Sequence, residues 1–162
     1  MKAAVSIRQA TRADRATVMR FHRELYVRYR DEITRPEVLP LFAYKDLDGT
    51  LSDDVDGLLR TQDATVLLAE RDTTPVGYVT GHVESDPRRV LPRKGVIEDW
   101  YVLPAERGQG TGKLLLESLI ERFRGAGCHV VESGTWAFNE GARKAHLALG
   151  FNEIEVKFRK RL

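Results

Sequence analysis

The sequence predicts an α/β fold in which one mixed sheet is flanked by helices, as a single domain over residues 1–162. Three observations carry this. The predicted elements run in the order β-α-(α)-β-β-β-α-β-α-β, which a single layered sheet accommodates. Two apolar strands in the middle are joined by a turn too short for anything but an antiparallel hairpin. No repeat or low-complexity linker divides the 162 residues, a length sufficient to bury a core without metals or disulfides.

The elements follow from local patterns. Val5-Ser6-Ile7-Arg8-Gln9 alternates as a strand does. Thr11 offers an N-cap with Asp14 three residues on, and Val18, Phe21, Leu25 and Tyr29 then recur on one helical face. Residues 31–63 read as irregular, broken by Pro36 and Pro40, with a short helix over 53–60. Strands are predicted over 65–70 and 76–83, joined by Asp72-Thr73-Thr74-Pro75, and a further strand over 96–102 is stopped by Pro104. A glycine turn opens the next helix, whose Leu116, Leu119, Ile120 and Phe123 form an apolar stripe ended by Gly125 and Gly127. Residues 130–135 read as a strand, 139–149 as a helix and 151–158 as a closing strand.

Composition narrows the function classes. Hydrophobic residues make up 42% and charged residues 31% of the chain, and no apolar run approaches a membrane span. With 26 basic and 24 acidic residues the net charge of +2 is too balanced to predict nucleic-acid binding. Cys128 is the only cysteine, which excludes an internal disulfide and a cysteine-rich zinc site and points to a cytoplasmic location. The basic residues Lys157, Arg159, Lys160 and Arg161 read as a solvated end. His22, His82 and His129 are scattered and predict no metal site.

The glycine turn Arg107-Gly108-Gln109-Gly110-Thr111-Gly112 carries the most chemical information. A strand, a glycine-rich turn and a helix in that order build an anion site, because the first helical amides lack intrahelical acceptors and the helix dipole favours negative charge. Arg107 and Lys113 add positive charge. A Walker loop would need glycine at position 107 and Ser or Thr at 114, where Arg107 and Leu114 stand. A dinucleotide fingerprint fails as well, for want of its third glycine.

The wider segment from Val102-Leu103-Pro104 through Lys113-Leu114-Leu115 resembles the signature of the GNAT superfamily of N-acetyltransferases: a Val-x-Pro strand end, then Arg/Gln-x-x-Gly-x-Gly/Ala, then an apolar helix. Asn139, Ala142 and Gly150-Phe151 resemble the second motif of that family, and the element order matches over nearly the whole chain. The resemblance implies a mostly antiparallel sheet with splayed fourth and fifth strands, and acetyl-CoA as co-substrate. It implies that amides of Gly108, Gln109, Gly110, Thr111, Gly112 and Lys113, beside Arg107, hold the pyrophosphate. The backbone of Trp100, Tyr101 and Val102 would pair with the pantetheine arm, and Asn139 and Ala142 would meet the cofactor from the second motif. A homodimer is compatible with the family.

Acetylating an amine requires removal of an ammonium proton, a donor for the developing oxyanion and a proton for the departing thiolate. Glu98 and Asp99 stand side by side on the fourth strand, on opposite faces by simple alternation unless a bulge turns one of them. Glu98-Asp99-Trp100-Tyr101-Val102 is similar to the corresponding segment of polyamine and diamine acetyltransferases. This favours a small-molecule amine or amino-acid side chain as acceptor, with Glu98 as base and Asp99 as substrate anchor. His146 occupies the position where the family often places a tyrosine acid, and it could serve as acid, base or packed helix residue. Tyr26 and Tyr29 are candidate pocket lining.

Two other readings compete. A non-catalytic acyl-CoA sensor would keep the turn and lack the chemistry. Asp46-Leu47-Asp48-Gly49-Thr50-Leu51 matches a phosphatase motif whose first aspartate attacks phosphate, but the strand and βαβ units that motif needs are not predicted around it. Asp46, Asp48, Asp53, Asp54 and Asp56 form an acidic stretch that could draw a cationic substrate.

Overall fold

The computed structural model describes residues 3–162, except the side chain of Tyr29. Among them are five strands in one sheet, ordered β1-β2-β3-β4-β5. These are β1 (Val5–Gln9), β2 (Ala64–Arg71), β3 (Thr74–Ser85), β4 (Arg93–Val102) and β5 (Val130–Ser133). The first four pair antiparallel and β5 joins β4 in parallel. The helices are α1 (Arg15–Arg28), α2 (Leu47–Arg60), α3 (Thr111–Gly125) and α4 (Glu140–Ala148).

Each face of the sheet carries its own core. On one, Val18 and Phe21 of α1 and Val55 of α2 meet Val66, Leu68, Tyr78 and Tyr101. On the other, Leu115, Leu116, Leu119 and Phe123 of α3 cover Leu67, Val79, Ile97 and Val102. This is the stripe read from the sequence, placed against alternate strand positions. Phe123 lies so close to β4 that a Cβ at Gly95 would fall inside its ring contacts, so a glycine is required there.

The local signals resolve as follows. The Thr11 amide donates to the Asp14 carboxylate at 2.8 Å, fixing the entry to α1 after a single 3₁₀ turn. The hairpin turn is tighter than expected, since Asp72 and Thr73 alone form it at φ 50° and 65°. That is the twist-matched two-residue turn, here without glycine.

Two expectations are corrected. The helix expected over 53–60 begins at Leu47, because the Asp46 side chain caps it by accepting from the Gly49 amide. The strand expected over 151–158 does not form, and Ile154, Val156 and Phe158 are exposed. Alternation alone makes a segment fit for a sheet but supplies no partner for its backbone. Among the described residues no helix is long and apolar enough to cross a membrane.

Candidate active site

Parallel pairing between β4 and β5 runs from Lys94↔Val130 to Ile97↔Ser133 and stops there. β4 continues five residues further to Val102, so its edge from 98 onward lies open toward β5. The gap widens into a cleft of about 1560 Å³ that passes from the glycine turn, across the end of β4, to α1 and α2.

On one side of the cleft the turn has the conformation its glycines permit. Gly108 and Gly110 have φ of 72° and 85°, left-handed values costly for other residues, with open space where a Cβ would project. Gly110 is the N-cap of α3, so the amides of Thr111, Gly112 and Lys113 begin the helix without intrahelical acceptors. Trp100 Nε1 donates to the Gly112 carbonyl at 3.0 Å and fixes the turn to β4. Arg107 Nε donates to the Val102 carbonyl at 2.9 Å, and its guanidinium lies over the Tyr101 ring.

Of the residues expected to hold the cofactor, Trp100, Tyr101, Val102, Arg107, Gly108, Gly110, Gly112, Lys113, Asn139 and Ala142 line the cleft. Two others make different contacts. The Thr111 side chain is buried, its hydroxyl without a hydrogen-bond partner among the described residues. The Gln109 side chain donates to the Ala105 carbonyl, bracing the turn. Asn139 Oδ1 caps α4 by accepting from the Ala142 amide at 3.1 Å. A helix start, an open strand edge and a glycine turn without side chains in the way fit a diphosphate on an extended amide-bearing arm.

The opposite side is acidic. A bulge interrupts the β3–β4 register between Val79↔Trp100 and Gly81↔Ile97, so Glu98 and Asp99 together oppose Thr80. Alternation would send them to opposite faces, whereas here both reach partners on one face. Glu98 Oε1 lies 3.0 Å from His82 Nδ1, and Asp99 Oδ2 lies 3.3 Å from the Thr80 hydroxyl. Thr80 and His82 are two residues apart on β3 and so share that face.

Asp99 is the more enclosed carboxylate. Its amide donates to Thr80 Oγ1 at 3.1 Å, and His22 Nδ1 of α1 stands 3.3 Å from its Oδ2. His22 Nδ1 also meets the Tyr78 hydroxyl at 3.1 Å, while Nε2 faces Asp54 at 3.4 Å. Burial works against charge on His22, but Asp99 first and Asp54 next outweigh it and raise its pKa above the usual histidine value. Glu98 is half-exposed, and His82 reaches from it to Glu84 at 3.0 Å. Two of the three histidines that looked scattered, His22 and His82, thus flank the acidic pair. Nothing local in the sequence links positions 22 and 82 to 98 and 99.

The acidic stretch of α2 divides. Asp46 is the helix cap, Asp48 pairs with Arg23 and Asp56 with Arg15, whereas Asp53 and Asp54 line the cleft. With Asp46 turned back onto its own helix, the phosphatase reading has no strand-borne nucleophile. Tyr26 lines the cleft, and burial followed by the neighbouring Tyr44 raises its pKa. Tyr29 lies in the short π-helical turn that extends α1, its side chain outside the described structure. Phe42 and Trp136 stack at 4.4 Å on the cleft wall.

His146 lies across the gap on α4. Its Nδ1 is 2.7 Å from the Ala142 carbonyl and its Nε2 is 2.7 Å from the Ser133 hydroxyl. The Trp100 and Phe151 rings meet it edge-on. Among the described residues no group of three or more metal-ligating side chains converges.

Known proteins with the same features carry this architecture. Residues 16–151 match the family model for the acetyltransferase (GNAT) family. An aminoglycoside N(6')-acetyltransferase type 1 from Stenotrophomonas maltophilia is 32% identical over 126 residues, covering 72% of this chain and 78% of that one. An L-methionine sulfoximine/L-methionine sulfone acetyltransferase from Salmonella typhimurium is 34% identical over 101 residues, 57% of each. Among solved structures, AAC(6')-Iy in complex with the bisubstrate analogue CoA-S-monomethyl-acetylneamine superposes with a TM-score of 0.75 at 22% identity, covering 99% of this chain and 100% of that one. A predicted acetyltransferase from Clostridium acetobutylicum with acetyl-CoA gives 0.75 at 17% identity over 98% and 96%, so both share the fold. The open β4 edge and the glycine turn therefore sit in a known framework: the chain belongs to the acetyltransferase (GNAT) family and is an acetyl-CoA-dependent N-acetyltransferase.

Proposed function

We propose that this enzyme, acting as one domain over residues 1–162, moves the acetyl group directly to a primary amine on a small cationic molecule. The observation that carries this is the bulge that turns Glu98 and Asp99 onto one face of the cleft, backed by Asp53 and Asp54. Such a pocket attracts an ammonium group and then has a carboxylate at hand to take its proton. The aromatic wall of Phe42, Trp136 and Tyr26 gives the apolar part of an acceptor a surface to lie against. Relatives named for aminoglycosides and for amino-acid derivatives support an amine acceptor.

Acetyl-CoA supplies the activated acyl carbon and a sulfur leaving group. The amides of residues 108–113, with Arg107 and Lys113, hold its diphosphate in this reading. The backbone of Trp100, Tyr101 and Val102 binds its amide-bearing arm, with Asn139 and Ala142 on the far wall. Asp99, held by Thr80 and His22, is the rigid anchor for the substrate cation, and Tyr26 lines its site. Glu98, nearer solvent and oriented by His82, is the base that removes the ammonium proton. His146 acts at the leaving-group end.

An amine panel with acetyl-CoA, followed by a thiol reagent, tests the proposal. Thiol release that depends on a primary amine is the expected result. Tight CoA binding with no turnover on any amine would instead establish the sensor reading. We further propose a homodimer, supported by the exposed Ile154, Val156 and Phe158 on a backbone that pairs with no strand among the described residues. Sedimentation of the purified chain as a monomer throughout the micromolar range would contradict it.

A further inference from the structure

We propose that Ser133 is the group that protonates the departing sulfur, with His146 behind it as the proton source. This rests on the reading of the cleft as an acetyl-transfer site, and the test below separates the two.

The geometry fixes how the pair works. A backbone carbonyl can only accept, so the 2.7 Å contact with Ala142 O places a proton on His146 Nδ1 in every charge state. Neutral His146 therefore has a bare Nε2, which accepts from the Ser133 hydroxyl at 2.7 Å and has no proton of its own to give. The proton must leave the ring through Ser133. In the charged ring Nε2–H donates to Ser133 Oγ, and the hydroxyl hydrogen turns outward.

Ser133 also stands where the chemistry requires it. It ends β5 opposite Ile97, the last paired residue before the β4 edge opens, and both Ser133 and His146 line the cleft. As the carbon–sulfur bond breaks, Ser133 gives its hydroxyl proton to sulfur and takes the Nε2 proton of the imidazolium. His146 is left neutral with its remaining proton on Nδ1, and solvent restores the lost proton before the next turnover. The contacts of His146 are Ser133 from β5, the Trp100 ring from β4, the Phe151 ring after α4 and the Ala142 carbonyl of its own helix. None of these is a carboxylate or a cation. A histidine so placed can pass its Nε2 proton to the Ser133 hydroxyl and recover one from solvent.

The test uses the full chain labelled with ¹⁵N-histidine, wild type and Ser133→Ala, with CoA alone as ligand. Above neutral pH, His146 is expected to show a protonated Nδ1 and a bare Nε2. CoA should move its titration midpoint in the wild type and leave it unmoved in Ser133→Ala. An Nε2-protonated ring, or the same response to CoA in both proteins, overturns the proposal. Neither readout needs a known acceptor, so it is decided even if no amine is turned over, an outcome that would count against the functional reading alone. With an acceptor in hand, Ser133→Ala should lower kcat by about 100-fold at unchanged KM for acetyl-CoA, and Ser133→Thr should recover most of it. Wild-type kcat in Ser133→Ala, or equal loss in both variants, overturns it as well.

Discussion

Replacing Gly110 separates the backbone role of the turn from its electrostatic one. Gly110 caps α3 at φ 85° and ψ −8°, and a Cβ built there meets no atom within 4 Å. An alanine thus incurs no clash, only the left-handed strain of roughly 1–2 kcal/mol. For a chain of this size that corresponds to a melting point lower by roughly 2–8 °C. Gly110→Glu carries the same strain and adds a carboxylate on the cleft side of a helix start that is to hold a diphosphate. Repulsion at about 4 Å is roughly 1 kcal/mol in water and roughly 4 kcal/mol near a protein surface. The glutamate variant should therefore bind CoA roughly 5- to 1000-fold more weakly than the alanine variant at matched stability. Calorimetric titration with CoA, alongside thermal unfolding, reads both quantities. Equal CoA affinity of Gly110→Ala and Gly110→Glu would refute the placement of the diphosphate at this turn.

Three further outcomes follow from the packing and the charges. Gly95→Ala drives a methyl into the Phe123 ring and should lower stability by about 1–3 kcal/mol in urea unfolding, with little change in the slope of the transition. His22 has a raised pKa, so its pairing with Asp99 and Asp54 stabilises the fold fully below the unfolded value near 6.5 and is lost as pH rises through the folded value. The stability gap between wild type and His22→Gln should accordingly be wider at about pH 6 than at about pH 9. Asp14 is held down to about 2, by its hydrogen bond to Arg8 first, so that pair contributes above the usual carboxylate range and fails as pH falls through about 2. Arg8 is 40% exposed, so solvent screening limits Asp14→Asn to about 1 kcal/mol, lost in acid.

Much of the fold was legible because its signals are local. The stripe of Leu116, Leu119 and Phe123, the alternation of β1 and the glycines before α3 each state their geometry within a few residues. The start of α2 was legible too and was masked by Pro40 and Gly49. Asp46 caps from a position three before the Gly49 amide, and Leu51 and Val55 then recur at helical spacing. Residues 151–158 show the opposite case, a strand pattern whose realisation depends on an edge elsewhere. At the site, the turn and the Glu98-Asp99 pair could be read from the sequence, but their orientation could not. The bulge depends on how β3 pairs with β4, and His22, His82 and Ser133 arrive from elements far along the chain.

In the proposed function, one cleft binds the donor along both the α3 turn and the open edge of β4. Amide hydrogen exchange with and without saturating CoA measures this directly. Exchange should slow together at residues 110–113 and along β4 from 98 to 102, while β1 and β2 stay unchanged. Protection missing from either segment, or appearing at residues 46–50 instead, would contradict it.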